Sequence, residues 1–205
     1  MAAARVPACP IVSSTAVDRR PVVASRRSGA RRRAACAAIS AAAALFGAGC
    51  ASLGGGSAGT SVALESRSGS AVTGNLALRD SKDGLRITGE VRGLAPNSEH
   101  GFHIHDKGDC SAPDASSAGG HFNPSGAPHG RMGAGAHHAG DMPNIKADAK
   151  GVATVNQTVA GVALAAGANG AGGRAIVVHR DPDDYSSQPA GNAGPRVACG
   201  VVPAK

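Results

Sequence analysis

Aromatic residues are scarce in this chain. Tryptophan is absent, Tyr185 is the single tyrosine, and of three phenylalanines only Phe102 and Phe122 lie beyond residue 50. A folded core here must therefore be built from Val, Leu, Ile and Ala, and a nucleic-acid surface of basic residues interleaved with aromatics is excluded. Acids are almost missing from the first 49 residues, where Arg5, Arg19, Arg20, Arg26, Arg27, Arg31, Arg32 and Arg33 face Asp18 alone. The formal net charge of +7 belongs to that stretch, because from residue 50 onward 13 cationic residues are balanced by 13 acidic ones. A long hydrophobic run is also lacking: the alanine-rich segment 34–49 is too short and too weakly apolar to be read as a membrane span. No repeat of a length that defines a solenoid or propeller is present.

What stands in the first 49 residues is a basic stretch, then an apolar one, then small residues, the layout of an export signal. Cys9 and Cys36 fall inside it, which leaves Cys50, Cys110 and Cys199. An odd thiol in an exported chain needs a reason. Cys50 follows Gly47-Ala48-Gly49 and opens a Gly/Ser-rich tether over 50–59, an arrangement that resembles a bacterial lipoprotein junction, although Gly47 stands where an aliphatic residue is usual. The reading leaves two outcomes open, a membrane tether through lipidated Cys50 or plain secretion. Acylation uses up the odd thiol and lets Cys110 pair with Cys199, which suits an oxidising compartment such as the periplasm.

Residues 60–205 are read as one domain. Segments 61–65, 72–79, 85–91 and 152–159 alternate apolar and polar residues with the period of half-buried strands, and 175–178 is a short apolar run suited to a strand buried on both faces. Lys82-Asp83-Gly84 and Ala149-Lys150-Gly151 supply turns. Roughly 145 residues suffice to bury one core. Two long segments, 106–145 and 180–195, are rich in Gly, Pro, Ser, His and Asp and refuse a strand reading. Loops of that length in a compact domain are functional or disordered, and the chain's histidines sit in or beside them.

Those histidines carry the chemistry. On a strand, His103 and His105 project to one side and Ile104 to the other. Such a pair alone is a weak signal, but His121 and His179 add two imidazoles from separate segments, and four nitrogen donors suit copper. A second group follows: His129 eight residues after His121, His138 nine after that, and Asp141 three further on. Three nitrogens and one carboxylate make a closed tetrahedral zinc site. His121 then serves both sites, its ring bridging the two metals.

Gly101-Phe102-His103-Ile104-His105, Gly119-Gly120-His121-Phe122-Asn123-Pro124, His138-Ala139-Gly140-Asp141 and the run from Gly191 through Arg196 to Gly200 together resemble the signatures of the copper/zinc superoxide dismutase family. The resemblance covers about residues 61–202, in family order. It implies an all-β fold, a Greek-key antiparallel sandwich or flattened barrel with two long functional loops. It implies copper on His103, His105, His121 and His179, and zinc on His121, His129, His138 and Asp141. Arg196 matches the arginine that guides the anionic substrate, Asp183 the acid that links a copper histidine to a zinc histidine, and Cys110 with Cys199 the disulfide. The implied activity is dismutation of superoxide to dioxygen and hydrogen peroxide by a copper redox cycle, in which His121 also carries a proton. A homodimer is compatible with the resemblance, and so is a monomer.

Rival readings are a periplasmic copper- or zinc-binding protein of the same fold without turnover, and a zinc buffer on an adhesion-type sandwich. Neither explains why His103, His105 and Arg196 are all present. His137 is read as a solvated loop residue, His100 as a hydrogen-bonded core histidine, and Lys107, Arg131 and Arg180 as surface charges. Pro189-Ala190 departs from the family pattern: eukaryotic members have a lysine and a threonine lining the channel there.

Overall fold

A computed structural model describes residues 59–204, so the leader, Cys50 and nearly all of the tether lie outside the described residues. The alternating segments form the strands their period predicts: β1 (Thr60–Ser66), β2 (Thr73–Ser81) and β3 (Gly84–Arg92). After the short β4 (Glu99–His100) and β5 (Phe102–His105) comes the long loop, broken by one 3-10 turn at Ser116–Ala118. The order continues with β6 (Ile145–Lys146), β7 (Val152–Val159), β8 (Ala163–Ala166), β9 (Gly170–Gly172), β10 (Ala175–His179) and β11 (Arg196–Val201). No α-helix occurs among the described residues.

The hydrogen-bonded order is β5-β10-β11-β1-β2-β3-β7, with every pair antiparallel. β1 changes sheets along its length. Its residues 60–64 pair with β2, whereas Glu65 and Ser66 pair with Cys199 and Ala198 of β11. The array therefore folds over at β1 into two layers that share one core. Inward residues Val62, Leu64, Leu76, Leu78, Leu85, Ile87, Val91 and Val155 share one buried cluster with Ile104, Ile176 and Val178, with Phe102 and Phe122 as the largest fillers. At roughly 25 cal/mol per Å² of apolar surface, this aliphatic interior supplies the main drive for folding.

Two features exceed the sequence reading. The Ala/Gly-rich stretch 163–172 forms the parallel pair β8-β9, and no alternation marks it because its side chains are too small to carry a pattern. Met142 joins the aliphatic core, filling the base of the long loop.

Candidate metal centre

The site begins at the outer edge of β5. Between His103 and His105, Ile104 directs its backbone away from β10: its N–H donates to Gly140 O at 3.0 Å and its carbonyl accepts from Phe122 N at 2.8 Å. Gly140 N in turn donates to Phe122 O at 2.9 Å. Two stretches of the long loop are thereby stitched onto the strand, setting His121 opposite His105 and Asp141 opposite His103. Gly140 lies so near that a Cβ there would fall 2.2 Å from Ile104 O, so only glycine permits the crossing. Phe122, next to His121, is held from behind by Arg174, whose guanidinium stacks 3.6 Å from the ring centroid and pairs with Asp106.

Across the sheet, β10 lies beside β5, with Val177 opposite His103, and ends in an irregular register at His179. The four imidazoles of His103, His105, His121 and His179 come together, all buried, with donor atoms within 4.8 Å of one another. His121, His129, His138 and Asp141 form a second buried group to the same limit. His121 is common to both.

Hydrogen bonding fixes which nitrogen each ring offers. His105 Nδ1 faces Gly119 O at 2.9 Å and His179 Nδ1 faces Gly194 O at 3.1 Å. Carbonyls only accept, so both Nδ1 atoms carry the proton and both Nε2 atoms present lone pairs, 3.3 Å apart. His103 donates through Nε2 to Asp183 Oδ2 at 2.9 Å, which leaves Nδ1 bare. His103 Nδ1 and His121 Nε2 are buried without a hydrogen-bond partner. Four basic nitrogens thus converge with no proton between them, an arrangement that repels itself unless a cation lies at their centre. The donors fit copper.

The second group is organised around one oxygen. Asp141 Oδ2 accepts from the backbone N–H of Gly130 at 3.0 Å and of His138 at 2.8 Å, which orients the carboxylate. Its Oδ1 then lies 2.7, 3.0 and 3.3 Å from the Nδ1 atoms of His121, His129 and His138. The last contact is misaligned for a hydrogen bond, and His138 Nδ1 is buried without a partner. Three ring nitrogens and one oxygen facing a common point fit tetrahedral zinc.

Asp183 connects the groups, accepting from His103 Nε2 through Oδ2 and from His129 Nε2 at 3.0 Å through Oδ1. Its neighbours do other work: Asp181 pairs with Arg180, and Asp184 caps the turn at Ser186 and Ser187. Gly191 packs against the bridging carboxylate so closely that a Cβ would lie 1.7 Å from Asp183 Oδ1.

Burial sets the protonation states. It holds His103 and His105 well below the usual histidine pKa, and the neighbouring imidazoles push the same way. His179 is lowered to about 4, again mainly by burial, against the opposing hydrogen bond to Gly194 O. For Asp141 burial acts upward, but the hydrogen bonds from His121, Gly130 and His138 outweigh it and keep the group ionised far below the ordinary carboxylate range. Metal binding needs this combination of neutral imidazole and charged carboxylate.

A cavity of about 560 Å³ opens onto this cluster between His179 and Arg196, walled by Gln188, Pro189 and Ala190. Arg196 is half-buried, and it donates through Nη1 to Ala115 O at 2.6 Å and through Nη2 to Gly119 O at 2.5 Å. Cys110 and Cys199 are bonded, as the sequence implied.

Residues 72–202 match the family described as copper/zinc superoxide dismutase (SODC). The chain belongs to this family. It is 47% identical over 135 residues to superoxide dismutase [Cu-Zn] 2 of Aquifex aeolicus, covering 64% of this chain and 79% of that protein. It is 39% identical to the superoxide dismutase-like protein YojM of Bacillus subtilis, over 70% of this chain and 76% of the relative. The crystal structure of a SOD-like protein from Bacillus subtilis superposes with a TM-score of 0.64 at 36% identity, over 71% of this chain and 99% of that one. Family and donor sets together support copper and zinc as the metals of this superoxide dismutase-family chain.

In this dismutase fold, His137 stays outside both clusters, its Nδ1 facing Gly135 O, and His100 is buried between Ser98 Oγ and His179 O, as expected of each. The sequence reading missed the side chains that hold the loops: Asn144, which clasps Asp183, Gln188, which clasps His129, and Arg174 behind Phe122. No periodicity flags them, because each acts on loop backbone brought near by folding.

Proposed function

We propose that this chain dismutes superoxide to dioxygen and hydrogen peroxide at a copper site made by His103, His105, His121 and His179. The observation that carries the reading is the convergence of four buried ring nitrogens, one of them from His179, which lines a cavity together with the Arg196 guanidinium. Copper, when bound there, supplies the one-electron couple that oxidises one superoxide and reduces the next. The chain's own residues do the rest. Arg196 offers positive charge to a small anion with little surface to grip; such steering in a walled cleft raises association rates about 10- to 1,000-fold. His121 belongs to both clusters, and its bare Nε2 is placed to take up a proton and pass it on. His121, His129, His138 and Asp141 would hold zinc, which would supply fixed positive charge beside the His121 ring, and Asp183 fixes the tautomers of His103 and His129.

The same reading assigns residues 1–49 to an export leader, 50–59 to a tether anchored through acylated Cys50, and 60–205 to the catalytic domain. The disulfide supports an oxidising compartment such as the periplasm. The homodimer is carried by the resemblance alone, and sedimentation of the mature chain tests it. Mass spectrometry of that chain decides between the lipid anchor and plain secretion.

Superoxide decay measured on copper- and zinc-loaded protein tests the function, before and after His105→Ala. Rapid decay abolished by the substitution is expected. The relative named superoxide dismutase-like favours a second reading, metal binding without turnover; decay no faster than free buffer in the loaded wild-type protein would establish it.

A further inference from the structure

The channel loop, 180–195, and the long loop, 106–145, contain almost no strand pairing, so their backbone polar groups need other partners. At three places a side-chain amide takes that part. Asn123 accepts from Ala127 N at 3.1 Å and donates to Ala127 O at 2.8 Å, within one loop. Asn144 accepts from Asp183 N and donates to Asp183 O, both at 3.0 Å. Gln188 accepts from His129 N through Oε1 and donates to His129 O through Nε2, both at 2.9 Å. An amide has a donor and an acceptor on one edge and so reproduces the pairing that a neighbouring strand would offer.

The third clasp differs in what it joins. Gln188 is itself part of the cavity wall, followed directly by Pro189 and Ala190. His129 belongs to the zinc-type cluster, and its ring donates to Asp183, which sits in the same channel loop. His129 is therefore gripped twice by one loop, at its ring by Asp183 and at its backbone by Gln188. The ring of contacts closes through Gly191, whose N–H donates to Ser187 O at 2.7 Å while its Cα packs against Asp183.

We propose that Gln188 is a positioning residue that ties His129 to the channel wall, so that zinc binding sets the shape of the mouth through which the anion approaches Arg196. The role in substrate entry rests on the dismutase reading; the link between zinc and the wall does not. Of the common side chains, only glutamine has both the amide edge and the length. Glutamate keeps the acceptor for His129 N–H but sets a carboxylate oxygen against His129 O. Methionine keeps the length and makes neither bond.

The test uses the full-length chain with copper and zinc, as wild type, Gln188→Met and Gln188→Glu. Zinc affinity is read by competition with a chelator, and hydrogen exchange of residues 186–190 is read with zinc bound and removed. In the wild type, zinc slows exchange of the wall. In Gln188→Met the zinc affinity is expected to fall about 10- to 100-fold, the cost typical of losing a group that orients a ligand. The zinc-dependent protection should vanish while the visible absorption of bound copper is unchanged. Gln188→Glu is expected to lose at least as much, and it decides the matter if the methionine variant does not fold. Unchanged zinc affinity and unchanged protection in both variants would overturn the proposal. If protection behaves as expected but no variant, wild type included, removes superoxide, the dismutase reading fails and the Gln188 link stands. Normal superoxide decay with no effect on zinc or protection means the reverse.

Discussion

His105 and Arg196 share one acceptor. The carbonyl oxygen of Gly119 receives His105 Nδ1 at 2.9 Å and Arg196 Nη2 at 2.5 Å, so the guanidinium proposed to guide the anion and the ring proposed to present Nε2 to copper are set by the same atom. On the proposed function Arg196 therefore has two duties, charge at the cavity and support for the carbonyl that fixes the His105 tautomer.

Replacing Arg196 separates the two. Arg196→Ala should lower the rate of superoxide removal about tenfold or more and flatten its dependence on ionic strength, because steering of an anion through solvent is screened by salt. Zinc content should be unchanged, and copper affinity should fall only by the small amount that loss of the second donor to Gly119 O costs His105. Arg196→Lys should recover part of the salt dependence but less of the rate, since one ammonium cannot hold both Ala115 O and Gly119 O in the forked geometry. Stopped-flow decay across a salt series checks both.

The shared ring is tested by metal counting. His138→Ala should cost zinc and spare copper, His105→Ala should cost copper and spare zinc, and His121→Ala should weaken both. Elemental analysis after dialysis against a weak chelator reads the ratios. Retention of full zinc by His121→Ala would show two independent centres.

Gly191→Ala introduces a methyl 1.7 Å from Asp183 Oδ1, at a backbone φ of 66°. The carboxylate must swing away and release both His103 and His129. Zinc affinity is expected to fall about 10- to 100-fold, with a further cost of about 1 kcal/mol for the left-handed backbone. Chelator competition with denaturant unfolding distinguishes the two losses.

In metal-free protein, acid should be destabilising over a defined window. His179 has its pKa lowered to about 4, and His103 and His105 are shifted the same way. Between about pH 6.5 and pH 4 the unfolded chain takes up protons that the folded one refuses, so stability is present above 6.5 and lost as pH falls to 4. The contribution of His179 is on the order of 3 kcal/mol. Urea midpoints of chelated protein across that range give the slope.

Cys110 and Cys199 are separated by 89 positions, and joining them removes much of the freedom of the unfolded chain. By the chain-entropy account Cys110→Ser with Cys199→Ser should cost about 4 to 5 kcal/mol of stability. Arg67, which donates to Cys110 O at 2.8 Å, should keep part of the loop in place. Equilibrium unfolding of the metal-loaded variant measures the loss.

Much of this protein is written along the chain. Period-2 alternation gave β1, β2, β3 and β7 because each has one face in the core, and the unbroken apolar run gave β10 because both its faces are covered. The seven side chains that the fold gathers into the two donor groups were legible for a related reason. Donor type and spacing are chemical requirements of a metal, and His103 with His105 need only the pleat of a strand to point together. Tertiary structure alone decided the rest. That Asp183, rather than Asp181 or Asp184, reaches both clusters depends on how the channel loop turns at Gly191. That Gln188 and Asn144 stand in for missing strands depends on two loops meeting, and the sharing of Gly119 O by His105 and Arg196 depends on β11 lying beside the start of the long loop. Local periodicity is set by the residue's own neighbours and survives in one dimension; a side-chain amide on a distant backbone exists only after the layers close.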